Sequence, residues 1–227
     1  MNYFHKSGFR IVLSYMVFFA FTACSTNKQL TESEKEQIKL DLLNMVKSDQ
    51  IAAKSRQGVY KTFSTEKWEN FKDSVYTVHQ NKLKIYYKKY GFLGIDKVGE
   101  EGATHFWLLV QHCDKFPAFQ KQVLKDMEKE VKKDNANGNN FAYLFDRVQV
   151  NENKKQKFGT QVTYESQSTG RAYPKVGLLD SANVDRLRKE FGLSSLKEYL
   201  NDMTIMHYEM NKASYNKMGV NSPNLYP

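Results

Sequence analysis

Cysteine is almost absent from this chain. Among its 227 residues only Cys24 and Cys113 occur, so no disulfide framework and no cysteine metal cluster can organise the fold. There is no His-Glu-x-x-His, and His105 and His112 stand two helical turns apart, too far to share one ion. No metal and no cofactor is therefore expected. Thr160 and Ser166 are available hydroxyls, but neither sits in a nucleophile elbow. No aromatic–basic motif of the nucleic-acid binders stands out, alanine is sparse, and no internal repeat is present. The apolar run Ile11 to Phe21 is about 11 residues, too short to cross a bilayer.

That run has the form of a signal-peptide core behind a basic start, His5, Lys6 and Arg10. It leads into Phe21-Thr22-Ala23-Cys24, small residues before a Cys, which resembles the lipobox of bacterial lipoproteins. The resemblance implies cleavage before Cys24 and lipidation of its thiol and new amine; an uncleaved anchor or an ordinary signal peptide is the alternative. Several acyl chains bury methylenes at about 0.8 kcal/mol each, so such an anchor holds. Ser25 follows the Cys in place of Asp, which favours the outer membrane, and the lack of an acidic run favours a domain facing the periplasm. Residues 1–23 then form the leader, 24–31 the lipidated Cys and tether, 32–200 a globular domain and 201–227 a helical extension. Cys113, left without a partner, reads as a buried, inert thiol.

The formal charge is +9, with 41% hydrophobic and 26% charged residues, an ordinary globular composition. Losing Lys6 and Arg10 with the leader leaves about +7. Lysines are spread in Glu/Lys mixtures such as Glu128 to Lys133. They suit a solvated surface or, more sharply, attraction to anionic lipid headgroups or polyanionic glycans, and the ligand expected is an anionic envelope glycan or peptide.

What is present is a strongly apolar stretch, Ala103 to Asp114, whose polar residues gather at one end. Periodicity alone leaves helix and buried strand open; its length of about 12 residues favours a helix apolar on every side, hence buried on every side. Around it the pattern predicts a mainly α (α+β) domain: a multi-helix bundle about a central helix at 103–113, with one small antiparallel β-hairpin at 148–164. Thr31-x-x-Glu34 is a capping box opening a first helix, whose stripe Ile38, Leu42, Met45, Asp49, Ala52, Arg56 carries two charges on the apolar face. A second helix runs from about Thr65 to Tyr90, with His79 on its inner face, and Gly91 to Gly102 reads as a loop. Asp114 is a candidate cap for a helix starting at Pro117. Phe141 to Arg147 is a short helix or an extended run. Val148 to Val150 and Phe158 to Tyr164 read as the paired strands, Asn183 to Phe191 as a helix, and Leu196 to Met218 as an amphipathic tail wrapping the domain.

Three fragments occur in order: Trp107-Leu-Leu-Val-Gln-His112-x-Asp114, Ala142-Tyr-Leu-x-Asp146-Arg147 and Gln156-x-Phe-Gly159-Thr160-Gln161. With Asp49-Gln50, Arg56 and Asp180-x-x-Asn183-Val-Asp-x-x-Arg188, they resemble the bacterial family known as domain of unknown function 6624. The resemblance covers roughly Lys39 to Tyr199. It implies an envelope or secreted protein and supplies no mechanism.

The candidate catalytic residues are His112, Asp114, Asp146 and Arg147; the candidate binding residues are Gln111, Gln161, Asp49 and Arg56. His112 against Asp146 or Asp114 makes an imidazole oriented by a carboxylate, Arg147 or Arg56 can hold an anion, and Gln161 can donate a hydrogen bond. Three readings remain. The residues form a buried network that only holds the fold, they line a binding pocket, or they activate water in a hydrolase. A binding or envelope-structural module leads, with hydrolysis second. A site requires His112 to line a cavity with at least two of Asp114, Asp146, Arg147 and Gln161 and to be partly exposed; a purely structural network requires those groups to be dry and fully paired.

Overall fold

The structure is a computed structural model and describes residues 29–165 and 168–227. The expected leader, the expected lipidation site at Cys24, and Ser166 lie outside the described residues. Within them stand seven α-helices and one two-stranded antiparallel sheet.

Helix α1, Glu32–Ala53, opens on the expected capping box: the Thr31 hydroxyl accepts from Glu34 N–H while the Glu34 carboxylate accepts from Thr31 N–H. Its buried residues are Ile38, Leu42, Asp49 and Ala52, so one carboxylate does ride on the apolar face. Arg56 lies beyond the helix end. Helix α2, Thr65–Tyr90, starts where Ser64 accepts from Lys67 N–H and buries His79 among Trp68, Leu83, Tyr87 and Tyr90.

Helix α3 is the central element, packed by α1, α2, α4 and α5, with Phe106, Leu109, Val110 and Cys113 all buried. It spans Ile95–Gln111. The expected loop at 91–102 therefore supplies its first turns, and the helix ends before Cys113. The glycines that read as loop signals have other uses. Gly99 sits at φ 71° and bends the helix. At Gly102 a Cβ would meet Val98 Cβ at 2.7 Å, with the Lys39 stem of α1 close behind.

Helix α4 is Pro117–Val131; its N-cap residue is Phe116, so Asp114 does not cap it. Helix α5, Gly138–Asn151, is capped by Asn137 and runs straight through Val148 to Val150, which the sequence presents as a strand. The three-residue alternation there is the end of a longer helical stripe, Phe141, Leu144, Val148, spaced by three and four. The antiparallel pair forms instead from β1, Val162–Tyr164, and β2, Ala172–Pro174, with Thr163 opposite Tyr173. Helix α6, Val184–Glu190, and helix α7, Leu196–Lys217, follow. Helix α7 is bent at Asn211 and packs on the sheet and on α6. The last residues return to the sheet: Arg171 donates to the carbonyls of Asn224 and Leu225, and Tyr226 Oη donates to Ala172 O. Among the described residues no helix is long and apolar enough to cross a membrane.

Cys113 is buried and unpaired. Burial pushes its thiol up to about 12, helped by the charges of Asp114 and Asp49. In a Cys24→Ser background, a thiol reagent at pH 8 is expected to leave the folded protein unlabelled and to modify one thiol after unfolding in urea. Rapid stoichiometric labelling of the folded chain contradicts this packing.

Candidate functional site

The candidate residues sort into three groups once their partners are seen. Asp146, fully buried on α5, faces the turn before β1. Its carboxylate accepts from Lys157 N–H (2.8 Å), Phe158 N–H (3.1 Å), Thr160 N–H (2.9 Å) and Thr160 Oγ1 (3.0 Å). Burial pushes its pKa up and the four donors only partly offset that. The same turn is gripped from the other side by Gln156, which exchanges bonds with both backbone groups of Gln161 and donates to Lys175 O. Gln161 adds only a long side-chain bond to Thr160 Oγ1 (3.3 Å). Asp146 is thus closed on itself and is not the partner of His112.

Asp114 and Arg147 form the second group. The guanidinium grips the carboxylate through Nε (2.9 Å) and Nη2 (2.6 Å), and Gln120 and Asn151 donate to the same carboxylate. Burial pushes Asp114 up, but the Arg147 fork and these neutral donors outweigh it and hold the carboxyl below its usual value. The Asp114 side chain stays 40% exposed, so the pair is a surface feature. Arg56 joins neither acid; its Nη1 donates to Phe63 O at 2.7 Å.

The third group is open. His112 Nδ1 lies 2.8 Å from both carboxylate oxygens of Asp49. Asp49 is wholly buried while the His112 side chain keeps 18% of its surface. Two elements make this pair: the apolar stripe of α1 carries Asp49 inward, and the end of α3 turns His112 toward it. The carboxylate accepts the hydrogen bond that Nδ1–H donates, and that tautomer places the ring's lone pair on Nε2. Among the described residues nothing is hydrogen-bonded to Nε2. The Tyr76 ring, on α2, stands 5.7 Å from the imidazole. Burial, with the Asp49 charge, pushes its hydroxyl up to about 12, so it stays protonated at neutral pH. Gln50 Nε2 donates to Asp49 at 3.2 Å. Behind the pair, His79 Nε2 meets Ser48 Oγ at 3.0 Å, and burial lowers its pKa and keeps it neutral. Gln111 is buried nearby and its carbonyl accepts from Gln120 Nε2. No three His, Cys, Asp or Glu side chains converge as a metal site among the described residues.

Sequence reasoning found both members of the open pair but matched His112 to the wrong acid. Asp114 and Asp146 lie nearer in the chain, whereas Asp49 comes from 63 residues away. Tyr76 falls on the inner stripe of α2, seven residues before Leu83, and there reads as one more packing aromatic. Gln156 stands in one of the fragments that carry the family resemblance, but its clamping role and that of Gln120 depend on carbonyls that only the folded backbone brings together.

Asp146→Asn is expected to lower stability by about 2–3 kcal/mol in urea unfolding, because the amide turns two donors onto buried N–H groups. Asp114→Asn tests the lowered pKa. A carboxyl with a depressed folded value stabilises above its unfolded value, about 3.9, and loses that contribution as pH falls through the folded one. The variant should therefore be less stable than the parent at pH 7, and the gap should close on acidification below about pH 3.9. A gap that is constant with pH removes the ion-pair account.

A family model described only as a family of unknown function (DUF6624) matches residues 36–209. No curated protein and no solved structure matches the chain. The matched span takes in Asp49, His112, the Asp114–Arg147 pair and the Asp146 turn. On a match of that extent, the chain belongs to the DUF6624 family.

Proposed function

We propose that the protein is a lipid-anchored cell-envelope protein whose domain performs acid–base chemistry at His112, with hydrolysis by activated water as the reaction class. One observation carries the reading: a fully buried carboxylate fixes Nδ1 of a partly exposed imidazole whose Nε2 has no hydrogen-bond partner among the described residues. A network serving stability alone closes every polar group, as the Asp146 turn does. Here one ring nitrogen is oriented and left free, the arrangement a general base needs. Asp49 holds the tautomer and steadies the imidazolium that forms when Nε2 takes a proton from water. Tyr76 supplies a protonated hydroxyl in the same field. The basic balance of the chain favours an anionic substrate, such as an envelope glycan or peptide fragment. The anchor rests on the leader and Cys24, and the outer membrane and periplasm on the residues after it. A binding role without chemistry has its own support in a different part of the fold, the unpaired polar atoms around Arg188.

Hydrolysis of a panel of ester, phosphoester, glycoside and peptide substrates by the purified full-length protein tests the chemistry. His112→Gln should reduce turnover by about 10²–10⁴-fold, Asp49→Asn should also reduce it by presenting the wrong tautomer, and both should stay folded. Turnover indifferent to His112 ends the proposal, as does no turnover of any class. Separately, Cys24→Ser should abolish metabolic labelling with a fatty acid and release the protein from the membrane fraction. Unchanged fractionation removes the lipid anchor.

A further inference from the structure

A cavity of about 350 Å³ lies where α3, α5, the turn after α6 and the start of α7 meet. Trp107, Asn139, Tyr143, Arg188 and Tyr199 are among its lining residues. Four buried side-chain atoms lack a hydrogen-bond partner among the described residues: His79 Nδ1, Trp107 Nε1, Asn139 Oδ1 and Arg188 Nη2. Three of the four belong to residues lining this one cavity. Buried polar atoms are nearly always paired, and three orphans around one space mark a place built for an occupant.

Each orphan has a fixed role. Arg188 is wholly buried; Nε donates to Ser194 O (2.7 Å) and Nη1 to Phe158 O (2.6 Å), and its guanidinium stacks 4.9 Å from the Tyr199 ring centre. Those bonds lock the fork and leave Nη2 over. Among the described residues no carboxylate is bonded to Arg188, Asp185 and Asp146 act on it only at longer range, and it is the one charged residue lining the cavity. A buried, unneutralised guanidinium calls for an anion, and its planar fork suits a carboxylate. The indole N–H of Trp107 is a second donor. Asn139 is different. Its Nδ2 donates to Gly192 O at 3.1 Å, which settles the amide orientation and leaves the oxygen, an acceptor, without a partner among the described residues. Trp107, Tyr143 and Tyr199 give aromatic walls, the first two edge to face at 6.5 Å.

We infer that this cavity binds a small carboxylate that also carries an N–H, as in a free amino acid or the C-terminal residue of a peptide. The carboxylate takes the two donors, Arg188 Nη2 and Trp107 Nε1, and the N–H satisfies Asn139 Oδ1. A volume of about 350 Å³ lies near the lower end for ligand pockets, roughly 300–1,000 Å³, so one or two residues fit. The inference is independent of the acid–base reading, because neither His112 nor Asp49 lines the cavity.

The chain has only two tryptophans, so the indole N–H of Trp107 is a direct reporter in ¹H–¹⁵N spectra of the full-length protein, assigned by Trp107→Phe. Four probes separate the chemistry: L-alanine, N-acetyl-L-alanine, acetate and L-alaninamide. Saturable shifts of the Trp107 signal are expected with alanine, with acetylalanine or with both, at least 10-fold weaker with acetate, which has no N–H, and absent with alaninamide, which has no carboxylate. Stronger binding of alanine identifies a free amino acid, and stronger binding of acetylalanine a peptide terminus. Asn139→Leu should weaken the preferred probe about 10-fold by calorimetry, and Arg188→Lys should weaken it more; circular dichroism checks that each variant folds. If Arg188→Lys fails to fold, Asn139→Leu and Trp107→Phe carry the test alone. A Trp107 signal unmoved by every carboxylate up to about 10 mM, or alaninamide binding as well as acetylalanine, overturns the inference and leaves the cavity to water.

Discussion

Helix α3 ends inside the protein, where its last carbonyls are out of reach of bulk water, and that ending shapes the polar half of the molecule. Gln120, buried on α4, sends Nε2 to Val110 O, Gln111 O and Asp114 Oδ1, each at 3.1 Å. Cys113 Sγ lies 3.4 Å from Leu109 O. Unpaired, such carbonyls cost roughly 1–3 kcal/mol each. With the helix end held this way, His112 and Asp114 project from a fixed point on either side of a buried thiol, and each reaches a different element: His112 turns to Asp49 of α1, and Asp114 to Arg147 of α5.

The three acids near this point show how burial and partners assign separate tasks. Asp146 is surrounded by four donors and shapes the turn that leads into β1. Asp114 is half in solvent, held by a guanidinium fork, and ties α3 to α5. Asp49 is as buried as Asp146, yet its principal partner is an imidazole whose other nitrogen is open. A buried carboxylate is retained only where its hydrogen bonds repay desolvation. At Asp49 that compensation depends on an imidazole, and this is the feature on which the proposed chemistry rests.

Helix α3 also links the two proposed sites. Trp107 and His112 are five residues apart, about 140° around the helix. One side chain therefore lines the cavity with Arg188 while the other faces Asp49. The two regions share a rigid, fully packed support and no side chains. Arg188 is tied to Ser194 O and Phe158 O, so the cavity is built into the same aromatic layer, Phe141, Phe158 and Phe191, that closes this end of the core.

Much of the fold was legible along the chain, because it follows from local rules. The capping box at Thr31, the stripe that buries Asp49, the stop at Gly91 and the all-apolar stretch behind α3 each follow from side-chain chemistry within one or two turns. The inert Cys113 follows from its apolar neighbours. Where local signals misled, longer-range packing decided. Glycines that resemble a loop became the bend and the close contact of α3, and an alternation of three residues at Val148 was the tail of a helical stripe. The candidate residues were named, but their pairing was not determined by sequence. His112 had three acids to choose from, and the choice fell to the one 63 residues away because α1 packs on α3. The free nitrogens of Arg188 and Trp107 were likewise invisible in one dimension. An unpaired atom is defined by everything that surrounds it, and only the folded chain assembles those surroundings.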